Sequence, residues 1–592
     1  MTPTPTSNDQ LPLRLGGFAS LPEALDYAAR GKTGYNFHSA RGALARALSY
    51  AELRERAIDV ARGFIKAGLQ PGARVVLVAD TDPDFTILFF ACQYASLLGV
   101  PVALPTTLGG REAYVAGLRR QLVGSGARAA AAPAELLSYL QEAAAGLDIP
   151  LVGAPQEFYD LPRDGADPRP FGPDDHCYLQ YSSGSTRAPL GVDVPQRVLM
   201  ANCYAICNHG LQVRADDRGT SWLPLYHDMG LVGFMLTPLV CQLSVDYLTT
   251  RDFARRALLW LTLMSRNGGT LSYSPTFGYD LCTRRAGTGA KLDLDLQTWR
   301  AAGVGGDMVQ PGVLSRFAET FAPYGFRETV FVPSYGMAET TLALSFAPLD
   351  TGVHVDVVDR QRMADENIAA PASDDHPERA RGFVACGRPL PDHVAEIRDD
   401  QGQVLPDRRI GRIFVRGPSV MAGYFEQPEA TALVLDERGW LDTGDLGYTL
   451  DGQLVITGRA KDLIIINGRN IWPQDLEWAV EELEGLRRGD AAAFSIEGPD
   501  DEEDVILLVQ CRTTDEEARS ALIRAVQGIV QRTAAIECKV KLIDPKGLPQ
   551  TSSGKLSRSR AKTNYTSGVY GPPVPDQPGP SSRAPAPTAP AG

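Results

Sequence analysis

Between residues 50 and 180 the apolar positions alternate between two spacings. In YAELRERAIDVARGFIKAG they recur every three or four residues with charges between them, which predicts a helix with one buried face. ARVVLVAD is a short continuous apolar run of the kind a fully buried strand requires. Further β-rich runs follow in SWLPLY, GTLSYSPT and TVFVPSYG, each beside Gly, Pro or a helical stretch, and the alternation predicts an α/β layout with a mainly parallel sheet. Loops at the carboxyl ends of such strands are where ligands bind. From about residue 383 the texture changes. AEIRDDQGQVL, GRIFVRG and QLVITGR are short β pieces separated by Gly and Asp turns, and predict the hairpins of a small β subdomain. After Arg459 come DLIIING, a helix from Pro473 to about Leu483 and the strand DVILLVQCR, a smaller α+β unit. The expected boundaries are 1–458 for a large domain and 459–565 for a small one, with 566–592 a Pro-rich, unstructured tail; Gly571 to Gly592 alone holds eight prolines.

Size and charge narrow the classes. A chain of 592 residues exceeds what one core usually supports, so two or more domains are expected. A formal charge of -13 argues against nucleic-acid binding by bulk electrostatics, so an anionic ligand would need a local positive site. Phe85 to Pro105 is twenty-one residues without a charge, close to the length of a membrane span. Its interior Gln93 and the Gly99-Val100-Pro101 break predict instead a buried helix followed by a VPVALP strand. The polar MTPTPTSNDQ does not resemble a secretion signal, and nine scattered cysteines form no disulfide pattern, so a reducing cytoplasm is expected. Cys203, Cys207 and His209 are the one Cys/His cluster; without a second ligand pair they predict buried thiols rather than a metal site.

Candidate chemistry begins at YSSGSTRAPLGV, directly after the strand-like CYLQ. Small hydroxyl residues and glycines in a turn expose N–H groups and hydroxyls suited to phosphate oxygens, although GxxxxGK[ST] is absent. The same composition also describes an ordinary polar turn. Other polar clusters stand at predicted strand ends. His227, in SWLPLYHDMGLVG, either orders a carboxylate or phosphate or is a hydrogen-bonded structural histidine. In SYGMAETT, Tyr335 can stack on a base, and Glu339 is either a Mg²⁺ ligand or a first-turn helix acid. WLDTGDLGY places Asp445 in a tight turn, where it could accept ribose hydroxyls; Arg459 and Lys461 sit at the proposed domain joint; and Lys555 lies in the Ser/Gly turn LPQTSSGKLSRSRAK. Each of these is otherwise a solvated turn charge.

Together, from about Leu48 to Lys562, these motifs resemble the adenylate-forming superfamily of acyl-CoA synthetases, nonribosomal adenylation domains and luciferases. SGSTRAPLGV with Arg187, PLYHDMGLVG and NIWPQDLE resemble its fatty acyl-AMP ligases. Two positions depart from the broad pattern and fit that subtype: Ala338, where many members carry Thr, and Leu190, where the loop usually has Lys. The polar stretch between Glu339 and Gly387, including ADENIAAPASDDHPERARG, is where the insertion associated with that subtype is expected.

The resemblance implies ATP-dependent activation of a fatty acid to an acyl-adenylate. It assigns Ser182, Ser183, Gly184, Ser185, Thr186 and Arg187 to the phosphates, and Gly305, Gly306, Asp307, Tyr335 and Gly336 to the adenine. Asp445 and Arg459 would hold the ribose, Glu339 the Mg²⁺, and Lys555 with His227 would be catalytic. Lys461 would be the hinge of a mobile C-terminal domain, and the acyl group would pass to the phosphopantetheine thiol of a discrete acyl carrier protein. Met229 to Val245 and SYSPTFGYDL are the expected walls of an acyl tunnel, and each is equally well read as core. The rivals are a fatty acyl-CoA synthetase and a catalytically silent acyl- or nucleotide-binding regulator on the same fold.

Overall fold

The computed structural model describes residues 2–6, 11–105, 110–181, 190–287, 292–466, 469–497, 503–551, 555–572 and 574. The described residues divide into two compact units: one takes those up to Asp359 together with Ala369–Thr457, the other takes Arg360–Ile368 and those from Gly458 onward.

The first unit is built on two large sheets. In the nine-stranded sheet, strands Gly34–His38, Ser244–Tyr247, Arg218–Ser221, Leu271–Ser274, Ala301–Val304 and Phe331–Tyr335 run parallel. In the seven-stranded sheet the parallel set is His176–Tyr181, Leu98–Val102, Arg74–Val78, Ala127–Ala131 and Leu151–Gly153. Strands running the same way gather their carboxyl ends at one edge, so the segments after Ser221, Val304 and Tyr335 open on one side of their sheet.

The helices follow the sequence pattern. Ser49 caps Tyr50–Lys66 by accepting from Glu52 N, and Leu53, Ala57, Val60, Ala61 and Phe64 bury one face of it. The uncharged run is the helix Pro83–Tyr94, buried from Phe85 onward and capped by Asp82, and then the buried strand Leu98–Val102. Among the described residues no helix is long and apolar enough to cross a membrane. All nine cysteines are buried and unpaired; Cys203, pushed up to about 12 by burial, accepts from Thr237 Oγ1 at 3.4 Å. Among the described residues no three His, Cys, Asp or Glu side chains group as metal ligands.

Two expectations for this unit are corrected. SWLPLY is not a strand: pairing stops at Ser221, and the chain then runs as a loop to the short helix Asp228–Gly230. Asp445 is not in a tight turn. It lies within the ten-residue strand Leu441–Leu450, in a four-stranded sheet with Val394–Arg398, Gly411–Arg416 and Gln453–Arg459. The Gly-Asp signal marks an irregularity in that ladder instead, where the register shifts between Arg412 and Phe414 and Gly444 takes φ +70.

In the second unit, strands Ala491–Glu497, Glu503–Gln510 and Lys539–Ile543 form a three-stranded sheet packed by the helices Pro473–Glu481 and Glu516–Ala534. The helix Arg360–Glu366 belongs here through Asp365, paired with Arg469 at 2.8 Å, and Asn367, bonded to Asn470 at 2.6 Å. Of the segment expected to be an unstructured tail, part is ordered: Pro572 O accepts from Lys541 Nζ and Val574 N donates to Tyr565 Oη. The remainder, from residue 575, lies outside the described residues.

Candidate active site

The site grows from strand ends of the first unit. Beyond Val304 the chain turns through Gly305, Gly306 and Asp307. A Cβ on Gly305 would stand 2.8 Å from Ser334 O, and Gly306 has φ +77, so both positions require glycine. Asp307 is exposed and its Oδ1 accepts from Met308 N at 2.8 Å.

The neighbouring strand ends at Tyr335, whose hydroxyl donates to Asp445 Oδ2 at 2.7 Å. The ladder irregularity that moves Asp445 out of regular register thus presents a buried carboxylate to the tyrosine. Gly336 allows the next step: a Cβ there would lie 1.8 Å from Leu342 O, because the chain folds back on itself around the turn Ala338–Thr340. Thr340 Oγ1 accepts from Met337 N, and Thr341 Oγ1 anchors the turn by donating to Ser419 O at 2.9 Å. Glu339, on this turn, is 8% exposed. Its Oε1 accepts from Tyr424 Oη at 2.9 Å and its carbonyl from Met421 N.

The phosphate-loop candidates Ser182, Ser183, Gly184, Ser185, Thr186 and Arg187 lie outside the described residues. The two strands that flank them are described, and pair antiparallel from His176↔Pro195 to Tyr181↔Gly191. On the leading strand, Gln180 Nε2 donates to Tyr226 O at 2.8 Å, next to His227. The returning strand Gly191–Pro195 pairs with Gly423–Tyr424, which carries the tyrosine bonded to Glu339. Both flanks of the loop are therefore tied to segments bearing candidate residues. His227 caps the helix Asp228–Gly230, its Nδ1 2.6 Å from Asp228 Oδ1 and its carbonyl accepting from Gly230 N and Leu231 N.

Arg459, Lys461 and Lys555 belong to the second unit. Arg459 ends the strand Gln453–Arg459, and Lys461 is exposed on the turn Ala460–Asp462. Lys555 is half-buried, its carbonyl accepting from Thr551 N at 2.8 Å and its N donating to Thr551 Oγ1 at 3.2 Å. The expected tunnel walls are packed core: Met229 to Val245 is buried almost throughout, and Tyr279 Oη donates to Gly303 O. Phe277 differs, 43% exposed against Trp222. Tyr424 and Gln180 escape a sequence reading because their roles arise from strand pairing; the Gly-Tyr pair ahead of Pro428 announces only a turn.

The AMP-binding enzyme family profile matches residues 29–425. A protein of Caulobacter vibrioides described as a putative acyl-CoA synthetase is 52% identical over 570 residues, 96% of this chain and 99% of that protein. The medium-chain-fatty-acid–[acyl-carrier-protein] ligase JamA of Moorena producens is 29% identical, covering 93% of this chain and 96% of its own. A solved structure from work on fatty acyl-adenylate ligases of E. coli and L. pneumophila superposes with a TM-score of 0.89 at 42% identity, over 94% of this chain and all of that one. With the strand-end site in place, the chain belongs to the AMP-binding enzymes and, within them, to the fatty acyl-AMP ligases.

Proposed function

We propose that this protein joins a fatty acid to ATP, forming acyl-AMP and pyrophosphate, and then passes the acyl group to the phosphopantetheine thiol of an acyl carrier protein, releasing AMP. The observation that carries the reading is the attachment of both flanks of the 182–187 loop to the segments of His227 and Glu339. A nucleotide held beside these two strands would lie near an imidazole and a buried carboxylate.

In the first step a fatty carboxylate oxygen attacks the α-phosphorus and pyrophosphate leaves. Charge redistributes over phosphate oxygens, so the protein's part is positioning and electrostatic stabilisation. Tyr335 and Gly336, with the Gly305–Asp307 turn, form the adenine wall. Asp445, oriented by the Tyr335 hydroxyl, accepts from the ribose hydroxyls, and Arg459 is a second ribose-binding residue. His227, fixed as a helix cap, orients the incoming carboxylate, and Lys555 neutralises charge between that carboxylate and the nucleotide. Residues 459–565 act as a mobile domain hinged at Lys461, which withdraws Lys555 before the thiol enters.

Glu339 suits a Mg²⁺ ion: it is a buried oxygen donor, and Mg²⁺ takes few carboxylates, filling its shell with phosphate and water. When bound, Mg²⁺ would neutralise charge on the nucleotide phosphates. Glu339 would hold the ion, and the Tyr424 hydroxyl would keep the Glu339 carboxylate in place for it.

The test is pyrophosphate release from ATP with a series of fatty acids, with the product identified by mass spectrometry; release dependent on fatty acid supports the reading, and its absence at every chain length overturns it. The similarity to a protein described as an acyl-CoA synthetase supports a second reading, with coenzyme A as acceptor. Supplying coenzyme A separates the two by whether acyl-CoA or acyl-AMP accumulates.

A further inference from the structure

In the second unit, one guanidinium joins three segments. Arg558, first residue of the helix Arg558–Thr566, donates from Nε to Glu477 Oε1 at 2.7 Å and from Nη2 to Glu477 Oε2 at 2.6 Å. Its Nη1 donates to Asp462 Oδ2 at 3.1 Å. The three side chains are 15%, 4% and 14% exposed, so solvent screens them little. Glu477 lies on the helix Pro473–Glu481, inside the NIWPQDLE motif, and is further fixed by Ala493 N at 3.0 Å.

We infer that Arg558 is a positioning residue that makes the hinge turn and the segment from Lys555 to Arg558 one rigid piece. The inference rests on the reading of Lys461 as hinge and Lys555 as reacting cation. Asp462 adjoins Lys461 on the turn Ala460–Asp462, and Arg558 lies three residues beyond Lys555. Between Lys555 and Arg558 there is little slack. Gln550 and Leu556 form a β-bridge, Ser557 N donates to Pro549 O at 3.0 Å, and Ser557 is buried. A two-pronged bond to Glu477 sets the angle of the guanidinium, and the remaining prong holds Asp462. Rotation at the hinge turn then carries Lys555 with it. Without Arg558, the buried Glu477 carboxylate and the half-buried Asp462 carboxylate are left without that cation, and their repulsion drives the hinge turn from the helix.

The experiment uses the full chain, dodecanoate and ATP, with radiolabelled ATP–pyrophosphate exchange, which remains measurable for very slow variants. Arg558→Ala is expected to lower the exchange rate about 100-fold, the cost of misplacing a reacting group by roughly 1 Å, while the KM for ATP stays within about threefold. In a Lys555→Ala background the same substitution is expected to add less than a twofold loss, because Arg558 acts through Lys555. Asp462→Asn, which keeps shape and the Glu477 pair, is expected to lower exchange about tenfold in the wild-type background and to have no effect beside Lys555→Ala. It serves where Arg558→Ala does not fold by thermal melting. Normal exchange in both variants, or an undiminished loss in the Lys555→Ala background, would overturn the inference. Wild-type exchange by Lys555→Ala itself would overturn the lysine assignment, and the coupling with it.

Discussion

Gly336→Ala places one methyl group where the structure has no room for it. The added Cβ would stand 1.8 Å from Leu342 O, 2.8 Å from Leu342 C and 2.9 Å from Ala343 Cα, all backbone, where ordinary contact begins at 3.4 Å. No side-chain rotation relieves this; the strand Phe331–Tyr335 and its returning partner must part by an appreciable fraction of the 1.6 Å between those two values. That pair holds Tyr335 against Asp445 at one end of the turn and carries Glu339 along it. Overpacking commonly costs about 1–3 kcal/mol, and contact with backbone alone puts this case at or above the upper end. A displacement of roughly 1 Å at positioning groups costs about 100-fold in rate. Thermal unfolding and pyrophosphate release at saturating ATP and fatty acid would be measured beside Gly312→Ala, whose Cβ meets only the end of the Arg316 side chain at 3.4 Å and should leave both unchanged. If Gly336→Ala melts and turns over like the wild type, the close approach that shapes the Glu339 turn is wrong.

Lys555→Ala is expected to nearly abolish acyl-AMP formation while ATP binding, followed by calorimetry, remains measurable; wild-type pyrophosphate release would remove Lys555 from the mechanism. Tyr424→Phe deletes the hydroxyl bonded to Glu339, a hydrogen bond to a charged group worth about 1.5 kcal/mol or more, so half-maximal activity should need about tenfold more Mg²⁺. Mn²⁺–ATP binding by electron paramagnetic resonance should weaken in parallel, and an unchanged metal response contradicts the role given to Tyr424. Glu481 is pushed up to about 8 by burial and then by the nearby Glu477 carboxylate. A carboxyl group whose folded value lies above its unfolded one contributes stability that is full below about 4.5 and is lost as pH rises through about 8. Glu481→Gln should therefore narrow the fall in melting temperature between pH 5 and pH 9, and an identical fall in both proteins contradicts this.

Much of the fold is visible in local sequence because local spacing decides it. Leu53, Ala57, Val60, Ala61 and Phe64 recur at helical spacing and bury one face, and ARVVLVAD contains the strand Arg74–Val78. SWLPLY misleads because its apolar residues serve burial in a loop: Trp222, Leu223 and Leu225 are core residues without strand pairing. Asp445 misleads similarly, since Gly-Asp reads as a turn while a partner strand holds it in a ladder. The site divides along the same line. Tyr335 and Glu339 stand at a strand end that the sequence marks, but Tyr424 reaches Glu339 across 85 positions and Tyr335 reaches Asp445 across 110. The attachment of Arg360–Ile368 to the second unit rests on Asp365 and Asn367 meeting residues more than 100 positions away, which no local pattern encodes.

The most direct test of the reaction mixes the protein with ATP, Mg²⁺, a fatty acid and both possible acceptors, coenzyme A and a phosphopantetheinylated acyl carrier protein, and identifies every acyl product by mass spectrometry. The expected products are acyl-AMP with equimolar pyrophosphate, followed by acyl-carrier thioester. Accumulation of acyl-CoA in its place, or no acyl-AMP with any fatty acid, would contradict it.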